Sequence, residues 1–290
     1  LTNVMPAFNE EASLNAVISD LKLFAMQNGF KIIIVNDASI DNTKNIIDSN
    51  ADTQTVKAIH HKLNKGYGGA IKTGILHANT DYVVTIDADG QHRKEDILKV
   101  YEAMKSFDAD MVVGGRDNQK SSSRIRGFGK AIIRLFVRLM IKVPVKDINS
   151  GMKMYKTDIA KKMIRLAPNG MAFSDVITIG FVYFGYYVEE IPIKVNRRIA
   201  GKSTVNYYTA IETIREILFI AIIFVPYRFF TFLSLFVMLI TFSWAVPFLI
   251  LGKGVTNAAA IGFFLCIILW SLGIIAQLIS GIRKDLLEFN

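Results

Sequence analysis

The chain has 290 residues, a formal net charge of +9, one cysteine and a hydrophobic fraction of 51%. A single cysteine excludes an intrachain disulfide framework and suits a reducing compartment. The length allows one sizeable domain plus an appendage. The positive charge requires an anionic partner, and the placement of the basic residues points to a membrane surface; no nucleic-acid partner is expected.

From the start, strand-like and helix-like stretches alternate, which predicts an α/β architecture with a largely parallel sheet. The chain opens directly into a strand at Thr2–Met5, with no signal peptide and no initiator Met, which suggests a slightly truncated start. A helix-period stretch follows over Glu10–Gln27, then a buried strand at Lys31–Asn36 and a helix at Asp41–Ser49. Val56–His60 reads as a strand, Gly69–Ala78 as a helix and Tyr82–Asp87 as a second buried strand. Asp96–Ser106 is predicted helical and Asp110–Val113 a strand. Over residues 126–142 basic side chains recur every fourth position, at Arg126, Lys130, Arg134, Arg138 and Lys142, with apolar residues between them. On a helix that spacing makes a cationic stripe beside an apolar face, as in helices lying on anionic membranes.

From about Ile217 charge almost vanishes. Residues 206–228 read as a juxtamembrane segment, with Ile217–Val225 an interfacial helix ended by Pro226. Phe229–Leu251 and Gly254–Ile282 each exceed the roughly 20 apolar residues needed to cross a bilayer. With only Gly252 and Lys253 between them they form a tight hairpin, leaving a short tail at 283–290. Lys194, Arg197, Arg198, Lys202, Arg215 and Arg228 precede the first run, and Arg283 and Lys284 follow the second. The positive-inside rule then places both termini, and a domain over 1–205, in the cytoplasm of an integral membrane protein.

The strongest chemical signal is Asp87-Ala88-Asp89-Gly90-Gln91-His92 at the end of a buried strand. In an extended chain residues two apart share a side, so Asp87, Asp89 and Gln91 converge. Such oxygen ligands suit Mg²⁺ or Mn²⁺, which binds few carboxylates and completes its shell with substrate phosphates. The run Gly66-Tyr67-Gly68-Gly69-Ala70-Ile71 fails both the dinucleotide fingerprint and the P-loop, because Ile71 stands where each needs glycine. Its glycines are read as permitting a tight turn and close backbone approach. His60, His61 and His77 lack metal spacing and are read as structural or exposed, and Cys266 is misplaced for a nucleophile.

Met5-Pro6-Ala7-Phe8-Asn9-Glu10-Glu11, Val35-Asn36-Asp37-Ala38-Ser39-Ile40-Asp41-Asn42-Thr43, Asn64-Lys65-Gly66-Tyr67-Gly68-Gly69-Ala70 and the Asp-Ala-Asp-Gly-Gln-His run occur in the order seen in family 2 glycosyltransferases. Gly114-Gly115-Arg116, Asp147-Ile148-Asn149-Ser150-Gly151, Glu190-Ile191-Pro192-Ile193 and Arg198-x-x-Gly201-x-Ser203 narrow the likeness. Together they resemble the dolichol-phosphate mannose synthase and polyprenyl-phosphate glycosyltransferase branch. The resemblance implies a GT-A domain (the Rossmann-like fold of nucleotide-diphospho-sugar transferases), followed here by amphipathic juxtamembrane helices and a two-helix transmembrane hairpin. It further implies that Pro6, Phe8, Glu10, Val35 and Asp37 hold the nucleoside. Asp87, Ala88, Asp89 and Gln91 would hold ribose, diphosphate and metal, with Asp89 and Gln91 the direct metal ligands. Arg116, Arg126 and Arg198 would surround the phosphates, Asp89, Arg116 and Arg198 carrying catalysis and Arg126, Lys202 and Ser203 the acceptor phosphate. Two departures stand out: Thr204 follows Ser203 where Lys is usual, so Lys202 takes its place or the phosphate is held differently, and Arg93 replaces a usual Pro.

The implied reaction is inverting, metal-dependent transfer of mannose or glucose from a nucleotide-diphosphate sugar, GDP-mannose or UDP-glucose, to a polyprenyl phosphate. The acceptor oxygen is already anionic, so no general base is required. A processive polysaccharide synthase should carry Gln-x-x-Arg-Trp, but Trp244 and Trp270 both lie in the apolar runs. A flippase or transporter would need more spans or ionisable residues within them; Asn257 and Gln277 are the only polar amides there. A non-catalytic membrane-anchored protein binding nucleotide or lipid phosphate is the remaining alternative, and a homo-oligomer is left open.

Overall fold

The computed structural model describes residues 1–116, 144–196, 215 and 218–288. Expected features at Arg126, Arg198, Lys202, Ser203 and Thr204, and the basic stripe over 126–142, lie outside the described residues. Described residues up to 196 form one compact unit and those from 215 onward a second.

The first unit is built on β1 (Thr2–Ala7), β2 (Lys31–Asn36), β3 (Val56–His60), β4 (Tyr82–Thr85), β5 (Met111–Arg116), β6 (Lys153–Lys156) and β7 (Val188–Ile193). They make a seven-stranded sheet in the order β3-β2-β1-β4-β6-β5-β7. All neighbours are parallel except β6, which runs antiparallel to both β4 and β5. The sheet is therefore mixed. Strands β2 and β3 have the expected bounds; β2 is an apolar run closed by polar residues, and β3 is an edge strand with Lys57 exposed. Strand β1 continues past the expected Met5 to Ala7. Pro6 is tolerated there because the pairing with β4 stops at Val4↔Thr85, so its missing N–H is not needed on that side.

Helices α1 (Glu11–Asn28), α2 (Thr43–Asn50), α3 (Tyr67–His77), α4 (Lys94–Ser106), α5 (Thr157–Met163) and α6 (Phe173–Tyr183) cover the sheet. Helix α2 begins two residues later than expected because the Asp41 carboxylate accepts from the Thr43 N–H at 3.0 Å, a local turn that competes with helix. Helix α3 begins earlier than expected, at Tyr67, glycines included. It lies close on β1 because Gly74 has no side chain; a Cβ there would overlap Val4. The core between α1, α4 and the sheet gathers Leu14, Ile18, Ile32, Ile34, Val84, Ile97 and Val100, all at most 1% exposed.

The second unit contains α7 (Pro226–Ile250) and α8 (Asn257–Glu288), preceded by a helical stretch over 218–224. Both helices are long and apolar enough to cross a membrane, and only 17% of the most apolar window of each is buried. The turn between them, 251–256, is longer than the expected Gly252-Lys253 pair. On α8 the buried positions are Ala259, Cys266, Gly273 and Ser280, a seven-residue repeat of small side chains. That period is a coiled-coil seam, and the small residues let the helices approach closely. Thr241 sits against Gly262, Phe230 against Gly273, and Ser234 Oγ donates to the Cys266 carbonyl at 2.9 Å. Ser280 and Arg283 both donate to the Ile223 carbonyl, which caps the stretch that Pro226 interrupts.

Filling the gap at Gly74 tests the α3–β1 packing. Gly74→Leu should cost about 1–3 kcal/mol, as overpacking generally does, read as a lowered melting temperature of the full chain; an unchanged melting curve would refute the contact.

Candidate active site at the carboxyl edge of the sheet

Strands β1 to β5 and β7 end at one edge, where the antiparallel β6 begins. The loops after β1 to β4, the end of β5 and the Asp147–Met152 approach to β6 therefore converge. Open α/β sheets bind ligands at this edge.

On the β1–β2 side the loops are tied to each other. Asn9 N donates to Ser39 Oγ at 3.0 Å, Ile40 N to Asn9 Oδ1 at 3.0 Å and Glu10 N to Thr43 Oγ1 at 2.9 Å. Glu10 receives the Ser13 hydroxyl at 3.2 Å. Phe8 stands 47% exposed at the rim, whereas Pro6 and Val35, paired in register, are buried in the sheet beneath it. Asp37 is buried, and its carboxylate accepts from His61 Nδ1 at 2.6 Å, Lys65 N at 2.8 Å and Gly66 N at 2.7 Å. His61 is thus structural, as expected.

The glycine run packs against protein. A Cβ at Gly68 would stand 2.6 Å from both Phe173 Cβ and the Pro168 carbonyl, and Gly69 N donates to the Asn169 carbonyl at 3.0 Å. The Lys65 and Gly66 amides are taken by Asp37 and the Gly69 amide by the 168–170 loop.

On the β4 side the expected strand ends early, at Thr85, and Ala88-Asp89-Gly90 is a turn with Gly90 at φ +75°. The two-residue alternation assumed for Asp87, Asp89 and Gln91 therefore does not apply. The turn is instead fixed by hydrogen bonds. Asp87 N donates to His92 Nδ1 at 3.0 Å, Gln91 N to Asp89 Oδ1 at 3.0 Å and Ser13 Oγ to the Ala88 carbonyl at 3.2 Å. Tyr67 donates its hydroxyl to Asp87 Oδ1 at 3.0 Å. Burial, reinforced by the Asp87 charge, pushes the Tyr67 phenol well above its ordinary value, so it stays a donor. Gln91 also accepts Asn196 N at its carbonyl, at 2.9 Å.

Among the described residues no cluster of three or more His, Cys, Asp or Glu side chains forms a metal cage. Two carboxylates on one turn do fit a hard cation that draws its remaining oxygens from substrate and water.

At the end of β5, Arg116 forks onto Asp147 at 2.7 and 2.9 Å and reaches the Asn149 carbonyl at 3.2 Å. The hydrogen bond to Asp147 raises the guanidinium above its ordinary value. Burial pushes the Asp147 carboxyl up, but the bonds from Arg116 outweigh it and hold the carboxyl low. Behind this pair lies Lys153, 1% exposed, whose Nζ donates to the Ile148 carbonyl at 2.6 Å and to the Ser174 carbonyl and hydroxyl at 2.5 and 2.6 Å. Ser174 Oγ donates to the Ser150 carbonyl at 2.8 Å, and Ser150 Oγ to the Gly114 carbonyl at 2.6 Å. Burial pushes the Lys153 amine down to about 7, while its three oxygen acceptors match the three donors of an ammonium.

Of the expected site, Phe8, Glu10, Asp37, Asp87, Ala88, Asp89, Gln91 and Arg116 line this one edge. Sequence reasoning missed Tyr67 and Lys153 as site residues. For the second the strand Lys153–Lys156 carries a lysine at each end, and nothing in the sequence separates the buried Lys153 from the less buried Lys156.

A family model described as Glycosyl transferase family 2 matches residues 2–164. The chain is 32% identical over 200 residues to an uncharacterized protein of Methanocaldococcus jannaschii, covering 66% of this chain and 79% of that one. It is 26% identical over 216 residues to an undecaprenyl-phosphate mannosyltransferase of Micrococcus luteus, covering 70% of this chain and 86% of that one. With a dolichyl-phosphate beta-glucosyltransferase of Dictyostelium discoideum it shares 28% over 182 residues, 56% of each chain. A crystal structure of glucosyl-3-phosphoglycerate synthase from Mycobacterium tuberculosis with phosphoglyceric acid superposes with a TM-score of 0.58 at 16% identity, over 75% of this chain and 78% of that one. The expected GT-A fold is borne out.

Lys153→Met removes the donor to the Ile148 carbonyl and to the Ser174 hydroxyl, while the Ser174 carbonyl keeps Thr178 Oγ1 at 2.9 Å, and should cost about 3 kcal/mol. Between pH 7 and 10 the unfolded chain holds a Lys153 proton that the folded chain has released, so wild-type stability gains with pH there. The melting-temperature gap between wild type and variant should therefore widen from pH 7 to 10; a gap that shrinks would contradict the assignment.

Proposed function

The chain belongs to glycosyl transferase family 2, and from that premise we propose that this glycosyltransferase moves mannose or glucose from a nucleotide-diphosphate sugar to a polyprenyl phosphate. The observation that carries the proposal is one sheet edge bearing the Asp87–Asp89 turn and the Arg116–Asp147 pair, in a chain with two helices of membrane-crossing length. The names of the Micrococcus and Dictyostelium relatives support the lipid phosphate as acceptor.

In this reading Phe8 offers a face to the nucleobase, and Asp37 acts by shaping the Lys65-Gly66 turn. Asp87, Asp89 and Gln91 would hold a divalent cation, Mg²⁺ or Mn²⁺, with Asp89 and Gln91 the ligands that the family resemblance implies. When bound it would neutralise charge on the departing diphosphate. Arg116 adds a guanidinium whose orientation Asp147 fixes before substrate arrives, so it need not be ordered during reaction. The acceptor phosphate attacks the anomeric carbon opposite the leaving group, inverting it. Its oxygen is ionised at neutral pH, so no group at the edge must take a proton. Arg198, Arg126, Lys202 and Ser203 are assigned to the phosphates by family resemblance alone.

A polyprenyl tail stays in the bilayer, so the enzyme is anchored there by α7 and α8. The basic residues flanking the hairpin favour a cytoplasmic catalytic domain.

The test incubates the purified full chain in lipid with Mg²⁺ or Mn²⁺, polyprenyl phosphate and labelled GDP-mannose, UDP-glucose and related donors. Label should enter the lipid phase with one donor and vanish on chelation. Asp89→Ala should reduce transfer by roughly 10²-fold or more. No label with any donor would sink the proposal.

A further inference from the structure

Resting on that reading of the edge, we infer that Tyr67 is a positioning residue for the cation-side carboxylate, and that Lys65-Gly66-Tyr67 ties the Asp87 side of the site to the Asp37 side.

Among the described residues, the Tyr67 hydroxyl is the one hydrogen-bond donor that the Asp87 carboxylate has, at 3.0 Å. The backbone of Asp87 is held separately, through its N–H to His92 Nδ1 at 3.0 Å. On its other oxygen, Asp87 abuts Gly151, where a Cβ would overlap it. The carboxylate is thus clamped between a phenol and a bare backbone, with its remaining lone pairs left for a cation. Asp89 is oriented within its own turn, by Gln91 N at 3.0 Å. Asp87 depends on a segment 20 residues away.

That segment is itself fixed from the far side of β1. Lys65 N and Gly66 N, the two residues before Tyr67, donate to Asp37 at 2.8 and 2.7 Å. Strand β1 lies between β2, which delivers Asp37, and β4, which delivers Asp87. Three consecutive residues therefore span the strand that separates the two carboxylates.

A purely structural role for the hydroxyl is disfavoured by what else anchors α3. The Asp37 bonds, the Gly69 N bond to the Asn169 carbonyl and the Gly68 contact with Phe173 all survive its removal. Phenylalanine fills the same volume. Loss of the hydroxyl therefore frees Asp87 without loosening the helix.

The experiment compares wild type, Tyr67→Phe and Tyr101→Phe, a ring packed between Phe30 and Tyr82 on α4, as full chains in lipid nanodiscs. Hydrogen exchange of peptides covering 86–92 should quicken several-fold in Tyr67→Phe and not in Tyr101→Phe, since local opening reports local constraint. The Mn²⁺ concentration giving half-maximal transfer should rise about tenfold, the effect expected of a lost orienting partner, while the melting temperature stays near that of wild type. Unchanged exchange at 86–92, or unchanged Mn²⁺ response in an active variant, would overturn the inference. So would faster exchange spread evenly along the chain with a matching fall in melting temperature. A wild type that transfers no sugar would fail the functional reading alone, because the exchange comparison still decides the role of Tyr67.

Discussion

The Asp37 carboxylate is buried just under the edge of the sheet, where an unpaired charge would cost several kcal/mol. It must therefore be surrounded by donors, and much of the site's geometry follows from where they come from. Two are backbone amides at Lys65 and Gly66, which can reach it only if the chain turns sharply there; Gly66 turns at φ +85°. The third is His61, itself braced by Thr73 of α3 at 2.8 Å. Meeting one carboxylate's needs thus fixes where α3 starts. It brings Gly68 and Gly69 against the 168–170 loop and aims Tyr67 at Asp87.

The opposite half of the edge obeys the same rule with the charges reversed. Arg116 and Lys153 are basic groups set back from solvent, and each is matched by acceptors rather than left to water. Lys153 gathers the 147–152 loop and the first turn of α6, and that loop carries both Asp147, which orients Arg116, and Gly151, which abuts Asp87. Buried ionic groups of this kind contribute little net stability, because desolvation offsets their attraction. Their effect here is geometric: the 147–152 loop, β6 and the first turn of α6 are held in one arrangement. A phosphate arriving at the edge meets charges already oriented.

Much of this was readable from residues alone. Lys31–Asn36 was legible because a strand buried on both faces is a short apolar run, whereas Val56–His60, an edge strand with only Val56 buried, was legible from its β-branched Val56 and Ile59. The Asp-Ala-Asp run was legible as chemistry, but not as geometry. Its placement comes from a turn at Ala88–Gly90 and a phenol from another helix, neither of which periodicity encodes. The reversed strand β6 was invisible for a related reason, since strand direction depends on the connection and leaves no mark on four residues. In the glycine run the residue type correctly signalled close approach, while the partner, a loop about 100 residues later, could come only from the fold.

Among the described residues the edge shows no evident general base, which is consistent with the physics of the proposed acceptor. A hydroxyl acceptor must lose a proton as it attacks, and an enzyme using one needs a carboxylate or imidazole placed for that step. At this edge Asp37 and His61 are committed to each other, His92 accepts a backbone N–H through Nδ1, and Asp147 is bound to Arg116. A phosphate acceptor removes the need, because its nucleophilic oxygen carries charge already. Its difficulty is instead the repulsion between two anions, donor diphosphate and acceptor phosphate, at a distance where bonds form. Attraction of both to fixed cations is what lowers that barrier. An edge that orients arginine and supports a divalent cation, with Asp37, His61, His92 and Asp147 already committed to partners, is therefore better matched to a phosphate than to a sugar hydroxyl.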